Sequence, residues 1–486
     1  MKRKLALPRL AALSVLAASI SSGTAKDAAA DVTLWKPETP GGGWEIFTNG
    51  RVGLFASYAK GDGSPQDSTY GDPILVNPNA PMPCDPITNP CTYMLPVLHQ
   101  MKGGGLTYEA QEVYPVPFPD GTPSLKAVSK VNHMRIRSGF TGNVFGFGAR
   151  RNLDPRTVVT AYISFTAVVD AEDQIVFSQR GASSFLDARE GYIKIDAPWG
   201  GVQAGRMGTL FNRGSVSTDY LLLHAYGVGY PGSVSTNGNF PTAGMIGFGV
   251  LANGFASGVV YSTPELAGVQ LHLGAFDPAQ LTGTGYERTK TPRYEFELAV
   301  DEQLGPNMKT HLYGTGGIQN HYKRRDTDDV VEVAKGYGFG GRFQVGPVQI
   351  GAGYHRGIGI SATYMGIPGD ETNNDNNQLR ETYGMFGIGM VSVGKVDVSL
   401  GGGQTKLLVP NGDLAPNPVG YVNPATGMPD PKFSWINRQT AFAGAVVYHV
   451  TDYLHLDADV LFAEFKWNLG ETQKINFYNA GATVTW

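Results

Sequence analysis

Sixteen segments of this sequence alternate apolar and polar residues with a period of two. They run near 44–58, 131–151, 158–170, 189–197, 201–207, 255–263, 267–276, 292–303, 307–316, 335–345, 347–357, 380–393, 395–406, 435–450, 453–466 and 474–486. A period of two is typical of strands whose two faces meet different environments. The connections are alternately short, with turn residues such as Gly346-Pro347 and Gly394-Lys395, and long and mostly polar. This layout is typical of a closed antiparallel β-barrel with short turns at one end and long loops at the other.

The segment at 292–303 shows the two faces most clearly. One face carries the apolar residues Tyr294, Phe296, Leu298 and Val300. The other face carries the charged residues Arg293, Glu295, Glu297 and Asp301. Charged groups are costly against lipid but not against a water-filled lumen, so the pattern predicts a transmembrane barrel with its apolar face outward. After the N-terminal segment, the sequence contains no run of eighteen apolar residues, and a closed barrel is the other way to satisfy backbone groups in lipid.

The first thirty residues have the composition of a secretory signal peptide. Lys2, Arg3 and Lys4 precede a mostly apolar stretch, and small residues near Ala25 or Ala30 supply a cleavage site. We therefore expect residues 31–486 to form one barrel domain.

Glycine accounts for 65 of the 486 residues, charged residues for 16%, and the formal net charge is −4. That charge argues against nucleic acid as a partner.

The hairpin at 190–206 and the segment at 260–271 resemble those of a known protein family. The phrases EGYIKI and WGGVQAGR, followed by VYSTPELAGVQL, resemble the general bacterial porins, the trimeric outer-membrane diffusion channels of Gram-negative bacteria. The resemblance implies a homotrimer in outer-membrane lipid that passes ions and small hydrophilic solutes by passive diffusion, without a cofactor. It also implies that the long loop at about 208–254 folds into the barrel. The chain ends on Trp486, where that family usually has a terminal Phe that acts as an assembly signal.

The same resemblance implies a constriction in which basic wall residues face carboxylates on the inserted loop. Arg206 matches the arginine that follows the fifth strand, and Arg51 alternates with apolar neighbours on the first. The candidate constriction residues are Arg51, Arg135, Arg137, Arg206, Arg213, Asp219 and His224. The candidate pore-lining residues are Lys194, Asp196, His272, Arg293, Glu295, Arg342, His355 and Asp457. Val260 replaces the family's sixth-strand arginine, which predicts a weaker transverse field.

The second strand contains a conflict of parity. Met134 and Ile136 place Arg135 and Arg137 on the inner face, whereas Phe145 and Phe147 imply the opposite alternation. An extra residue in one strand of a pair reverses the alternation. We therefore predict a bulge between the two parts of this strand, near Gly139 or Gly142.

The first long loop contains Cys84 and Cys91, the chain's two cysteines. Two nearby cysteines in a secreted chain predict a disulfide. The Asp- and Asn-rich stretch at 366–381 offers oxygen ligands for Ca²⁺ but lacks the spacing of a twelve-residue calcium loop, so a solvated loop is the better interpretation.

Three other functions compete with a general pore. A substrate-specific channel, possibly with eighteen strands, would use aromatic residues of the loop as a solute track. A soluble secreted all-β binding protein and an outer-membrane barrel hydrolase are further hypotheses. The sequence contains neither His-Glu-x-x-His nor Gly-x-Ser-x-Gly, and it has no paired-cysteine zinc spacing. We therefore expect a protein that is not an enzyme.

Overall fold

The structure is a computed structural model. It describes residues 31–36, 43–62, 93–100, 106–113, 115–117, 123–125, 130–137, 143–169, 184–221, 229–230, 240–241, 244–278, 286–287, 290–323, 330–360, 379, 381–408, 436–467 and 472–486. The predicted signal peptide, Cys84, Cys91 and nearly all of the stretch at 366–381 lie outside these residues. The predictions made for them therefore remain predictions.

Sixteen antiparallel strands close into one barrel. The first eight are β1 (Glu45–Asp62), β2 in two parts (Lys130–Arg137 and Asn143–Asp154), β3 (Thr157–Val169), β4 (Ser184–Ala197), β5 (Gly200–Gly208), β6 (Phe255–Ser262), β7 (Val269–Phe276) and β8 (Arg293–Gly305). The others are β9 (Met308–Lys323), β10 (Val330–Val345), β11 (Val348–Ile358), β12 (Glu381–Val393), β13 (Val396–Leu408), β14 (Ile436–His449), β15 (Leu454–Trp467) and β16 (Thr472–Thr485). These bounds confirm the sixteen segments expected from the alternation.

Shorter elements accompany the barrel. Helix α1 spans Arg213–Thr218. The short strands are Val32–Trp35, Tyr93–Gln100, Leu106–Val113, Pro115–Pro117, Pro123–Leu125, Gly229–Tyr230, Phe240–Pro241 and Tyr286–Glu287. In the part of the chain that the structure describes, no helix has the length and apolar character needed to cross a membrane.

The barrel closes where β16 returns to β1. Arg51 lies opposite Thr485 and Gly61 lies opposite Ile475, so the two strands pair along their length. The terminal Trp486 extends this pairing, because its N–H donates to the Gly50 carbonyl at 3.1 Å and its carbonyl accepts from the Gly50 N–H at 2.9 Å. Closure leaves no free sheet edge in the barrel, which backbone groups in lipid require.

Turns and loops occupy opposite ends of the barrel. The short connections include Gly346-Pro347 and Gly394-Lys395, as the sequence predicted. Gly346 has a φ of 54°, the left-handed conformation that a tight hairpin turn needs at its first position. The long connections, including residues 209–254 between β5 and β6, all leave the other end. We call these the turn end and the loop end.

The apolar side chains of the strands point outward. Leu400 and Phe442 are each 67% exposed and Ile350 is 57% exposed, whereas their chain neighbours Ser399 and Ala441 are buried. Such exposure is normal for the lipid-facing band of a barrel and unusual for a soluble protein. The outward direction of the apolar face is therefore confirmed.

A charge introduced into this band will weaken the barrel in lipid. Phe442→Arg, in the middle of the outer face of β14, is expected to cost about 2–4 kcal/mol of the free energy of unfolding. Denaturant unfolding in lipid vesicles measures the change. Leu266→Arg is the matched control, because Leu266 is 79% exposed but lies in the turn between β6 and β7. Equal losses in the two variants would contradict the assignment of Phe442 to the hydrocarbon layer.

The two parts of β2 resolve the conflict of parity. Both pair with β1, so that Phe55 lies opposite Arg137 and Arg51 lies opposite Val144. Four positions separate Arg51 from Phe55, and seven separate Arg137 from Val144, a difference of three. Because this difference is odd, the alternation reverses between the two parts, and both apolar sets of β2 face outward.

Candidate pore constriction

In the loop between β5 and β6, the described residues 209–221 and 244–254 lie inside the barrel, and the loop is held first by Glu295. The carboxylate oxygen Oε2 accepts the backbone N–H groups of Leu210 at 2.7 Å and Phe211 at 2.8 Å. Its other oxygen, Oε1, pairs with Nε of Arg293 at 2.8 Å. The side chain of Glu295 is only 1% exposed, so this charge is held entirely by the loop and its neighbour on β8. We call this contact the loop anchor.

Helix α1 continues the loop along the wall formed by β8 to β10. Arg213 pairs with Glu297, with Nη2 at 2.6 Å and Nε at 3.0 Å from the same oxygen. Further along the helix, the Ser217 carbonyl accepts from Nη1 of Arg342 at 3.2 Å. The Ser217 hydroxyl lies 3.2 Å from Nε2 of His311, whose Nδ1 is 2.8 Å from the Asp301 carboxylate. The polar inner face of these strands thus binds the helix through its charged residues.

Asp219 joins two distant parts of the loop. Its carboxylate accepts the N–H of Leu221 at 3.0 Å and the N–H of Met245 at 2.7 Å. The residue is fully buried. Its charge therefore satisfies backbone donors inside the loop, and water in the lumen does not reach it.

Beyond Asp219, the loop packs on the opposite wall through apolar contacts. A single cluster combines loop residues with the inner faces of β12, β14, β15 and β16: Tyr220, Leu221, Met245, Ile246, Phe248 and Val250 with Phe386, Ile388, Ala441, Leu461, Phe465 and Phe477. The rings of Phe248 and Phe465 are 5.8 Å apart. On β12 and β14 to β16 the inner wall is therefore apolar where the loop covers it, which differs from the polar inner face that the sequence pattern suggested.

Gly249 packs closely against the neighbouring part of the wall, which β11 to β13 form. Its N–H donates to Oγ1 of Thr405 at 2.9 Å, and its carbonyl lies 3.1 Å from Nδ1 of His355. Its φ is +100°, a conformation that favours glycine. A Cβ atom at this position would collide with the Met385 carbonyl. Glycine is therefore needed for the loop to approach the wall this closely.

Comparison with known proteins decides the family. A sequence profile described as "Gram-negative porin" matches residues 124–486. This chain belongs to the Gram-negative porin family. The predicted resemblance is confirmed, and the protein is an outer-membrane channel rather than an enzyme. A comparison with curated protein sequences gives no significant match.

The solved structures to which this chain is similar include other outer-membrane proteins. The outer-membrane channel DcaP of Acinetobacter baumannii is 12% identical, with 94% of this chain and 100% of that chain aligned at a TM-score of 0.57. OmpT of Vibrio cholerae is 11% identical, with 93% and 99% aligned at a TM-score of 0.47. At such low identity, the likeness of this porin to DcaP concerns the fold.

The structure contradicts the prediction that Arg206 lies at the constriction of the porin. Arg206 is exposed on the outer face of β5, on the same face as Ala204, and its Nε donates to the Arg189 carbonyl at 3.1 Å. Its inner-face neighbour Met207 is buried against Leu210. Arg206 therefore does not face the lumen, because the strict alternation of β5 turns it outward.

The other predicted constriction residues fall into three groups. Arg51 lies on the inner face of β1, and Arg213 and Asp219 lie in the inserted loop. Arg135 and Arg137 pair with inner-face positions of β1, Ser57 and Phe55, but their side chains are outside the described part of the structure. His224 also lies outside it.

The eight predicted pore-lining residues all occupy inner-face positions. Lys194 pairs with Asp196 at 3.0 Å, and Nδ1 of His272 lies 2.7 Å from the Ser262 hydroxyl. The loop covers three others, Arg293, Glu295 and His355. Asp457 is buried, with Oδ2 accepting from Thr483 at 3.3 Å, and Arg342 binds α1. Several residues predicted to meet water therefore hold the loop instead.

Sequence reasoning missed part of the contact between α1 and the wall. Glu297 and His311 on the wall and Ser217 on α1 were not among the candidates, although Glu297 lies two residues after Glu295 on the polar face of β8. Two inward carboxylates two residues apart on a strand were the available sequence signal for this contact.

Among the residues that the structure describes, no group of three His, Cys, Asp or Glu side chains has an arrangement that would hold a metal ion.

Removing the charge of Asp219 will loosen the inserted loop. In Asp219→Asn, one of the two buried N–H donors faces an amide NH₂ group instead of an oxygen. An unsatisfied buried donor costs about 1–3 kcal/mol. We expect faster proteolysis within residues 222–243 in the folded porin, with the barrel intact by unheated gel migration. Asp196→Asn is the control, since the Asp196 side chain is 48% exposed. Proteolysis at the wild-type rate would contradict this role of Asp219.

Proposed function

We propose that this porin is a general diffusion channel for ions and small hydrophilic solutes, with its narrowest point between the inserted loop and the inner wall of β4 to β10. The observation that supports this best is the presence of partly exposed charges of both signs on this wall and on α1. The Asp301 side chain is 64% exposed and the Arg213 side chain 26% exposed. Neighbouring positive and negative groups in a narrow aqueous passage favour polar solutes.

The described part of the loop favours a general pore over an aromatic solute track. Tyr220, Leu221 and Phe248 are fully buried against the opposite wall. Side chains that are buried in this way, including the rings of Tyr220 and Phe248, offer no surface to a passing solute. We therefore rank the substrate-specific channel second.

We also propose a homotrimer in outer-membrane lipid, the assembly implied by the resemblance to the general bacterial porins. Chemical cross-linking of the porin in native membranes tests this. On a denaturing gel, cross-linked products of two and three chains, and none larger, are expected. A gel that shows only the single chain would contradict the trimer.

Liposome swelling tests the proposed solute range. Proteoliposomes are placed in isotonic solutions of uncharged sugars of increasing size, with protein-free liposomes as the control. For a general pore, the swelling rate falls smoothly with solute size and rises linearly with concentration. A rate that saturates for one sugar and exceeds that of smaller sugars would favour the substrate-specific channel.

A further inference from the structure

Two carboxylates lie close together on the inner face of β15, apart from the charges that hold α1 and the loop anchor. Asp457 and Asp459 are two residues apart, about 7 Å along the strand, and both are buried. Oδ2 of Asp457 accepts from the Thr483 hydroxyl at 3.3 Å, and Oδ1 of Asp459 accepts from Nδ2 of Asn479 at 2.7 Å. We call these four residues the β15–β16 cluster.

Apolar side chains border the β15–β16 cluster along the strands. Toward the loop end, the next pair on the inner face is Leu461 and Phe477, and both are fully buried. At the level of Asp457, the ring of Phe55 lies over Gly481, the residue opposite Asp457 on β16. A charge in such surroundings is unfavourable unless an opposite charge or several hydrogen bonds compensate it.

Asp459 and Asn479 each have a buried oxygen without a donor. Oδ2 of Asp459 and Oδ1 of Asn479 accept no hydrogen bond from the residues that the structure describes. The two residues are only 4% and 5% exposed. The hydrogen bond from Nδ2 to Asp459 fixes the orientation of the amide, since the reverse orientation would set two oxygens against each other. Two adjacent oxygens therefore remain for a positively charged ligand.

The donor types in the cluster identify the kind of ligand. Carboxylate, amide and hydroxyl oxygens are the ligands of hard cations, and the cluster has no nitrogen or sulfur ligand that would favour a transition metal. A proton would neutralise Asp459 alone, whereas a divalent cation would also balance charge on Asp457. Ca²⁺ accepts irregular sets of oxygen ligands, while Mg²⁺ requires a nearly ideal octahedron.

We propose that the β15–β16 cluster binds a calcium ion on the inner wall of the porin. Oδ2 of Asp459 and Oδ1 of Asn479 bind the ion, and Asp457 supplies the second negative charge. Water molecules complete the coordination, since Ca²⁺ takes about six to eight oxygen ligands. Leu461 and Phe477 also contact the inserted loop as part of its apolar cluster, so the ion stiffens the wall on which the loop rests.

The test compares variants of the full-length, folded porin in a nonionic detergent after treatment with EDTA. Asp459→Asn removes the charge with almost no change in size. Asp452→Asn is the matched control, because Asp452 is exposed in the turn between β14 and β15. Asn479→Asp adds a carboxylate to the cluster. Equilibrium dialysis with radioactive calcium measures binding, and the thermal unfolding midpoint is recorded with and without Ca²⁺.

Asp459→Asn is expected to bind calcium at this site at least about tenfold more weakly than wild type and the control, because it loses a carboxylate ligand. Calcium bound by external loops remains in all variants and cancels in this comparison. In EDTA, Asp459→Asn unfolds at the same temperature as wild type or higher, since a buried charge has been removed. Added Ca²⁺ raises the midpoint of wild type and control but not that of Asp459→Asn.

Asn479→Asp gives the converse expectation. In EDTA its midpoint falls below that of wild type because the buried carboxylates repel one another, and added Ca²⁺ restores it. A purely structural role of the amide predicts a loss that Ca²⁺ does not repair, and that result would overturn the proposal. Calcium binding by Asp459→Asn as tight as that of wild type would also overturn it. A wild-type midpoint that Ca²⁺ leaves unchanged would do the same, because a proton or water would then satisfy Asp459.

Discussion

Replacing Glu295 by alanine will release the inserted loop and raise the single-channel conductance of the porin. The substitution removes the acceptor of the Leu210 and Phe211 N–H groups and the partner of Arg293. Hydrogen bonds to charged groups contribute about 1.5–3 kcal/mol each, so the start of the loop loses roughly 3–6 kcal/mol of its attachment. A loop freed at this point no longer fixes the width of the lumen.

Planar-bilayer recordings measure the effect of Glu295→Ala. We expect a larger mean conductance and added current noise from loop movement, with a barrel that still migrates as a folded species on an unheated gel. Glu265→Ala provides the matched control, because Glu265 is exposed in the turn between β6 and β7. Wild-type conductance and noise in Glu295→Ala would show that the loop does not depend on the loop anchor.

Replacing Arg213 by alanine will shift the ion selectivity of the porin toward cations. Arg213 is the positive charge of α1 and neutralises Glu297, whose side chain is only 5% exposed. Without Arg213, the carboxylate faces the passage unpaired. A unit charge at about 4 Å contributes about 1 kcal/mol in water, so the cation-to-anion permeability ratio is expected to rise by up to about fivefold. Screening by salt will reduce the shift.

The reversal potential in a salt gradient measures this shift, and Arg206→Ala is its control. Both variants lose one arginine from the same region of the chain, but Arg206 points outward from β5. We expect an unchanged reversal potential for Arg206→Ala at every salt concentration. A shift in Arg206→Ala equal to that in Arg213→Ala would contradict the side-chain directions described for β5 and α1.

The barrel was predictable from the sequence because lipid and water impose opposite demands on neighbouring residues. Tyr294 and Glu295 could not exchange faces without placing a carboxylate in lipid, so the alternation of β8 fixed its orientation. The same reasoning exposed the conflict within β2, which the structure resolves by an odd shift in pairing. On β5, the family resemblance placed Arg206 at the constriction, whereas the alternation puts Arg206 on the same outward face as Val202 and Ala204.

The interior was less predictable because the loop replaces water as the neighbour of the wall. Leu461, Phe465 and Phe477 face inward, where alternation alone gives no reason for apolar residues. Their partners, such as Phe248, are distant in sequence, and no local pattern links the two. Likewise, Asp219 has the charge expected of a pore residue but serves buried backbone donors. Contacts between a long loop and a distant wall depend on tertiary packing rather than on local periodicity.

Quenching of a fluorophore attached to single cysteines tests most directly whether the outer face meets lipid and the inner face meets water. Cys84 and Cys91 are first replaced by serine, and the label is then placed by Phe442→Cys on the outer face or Asp301→Cys on the inner face. In proteoliposomes, brominated acyl chains are expected to quench the label at position 442 and aqueous iodide the label at position 301. Iodide quenching at 442 with acyl-chain quenching at 301 would contradict the barrel described for this porin.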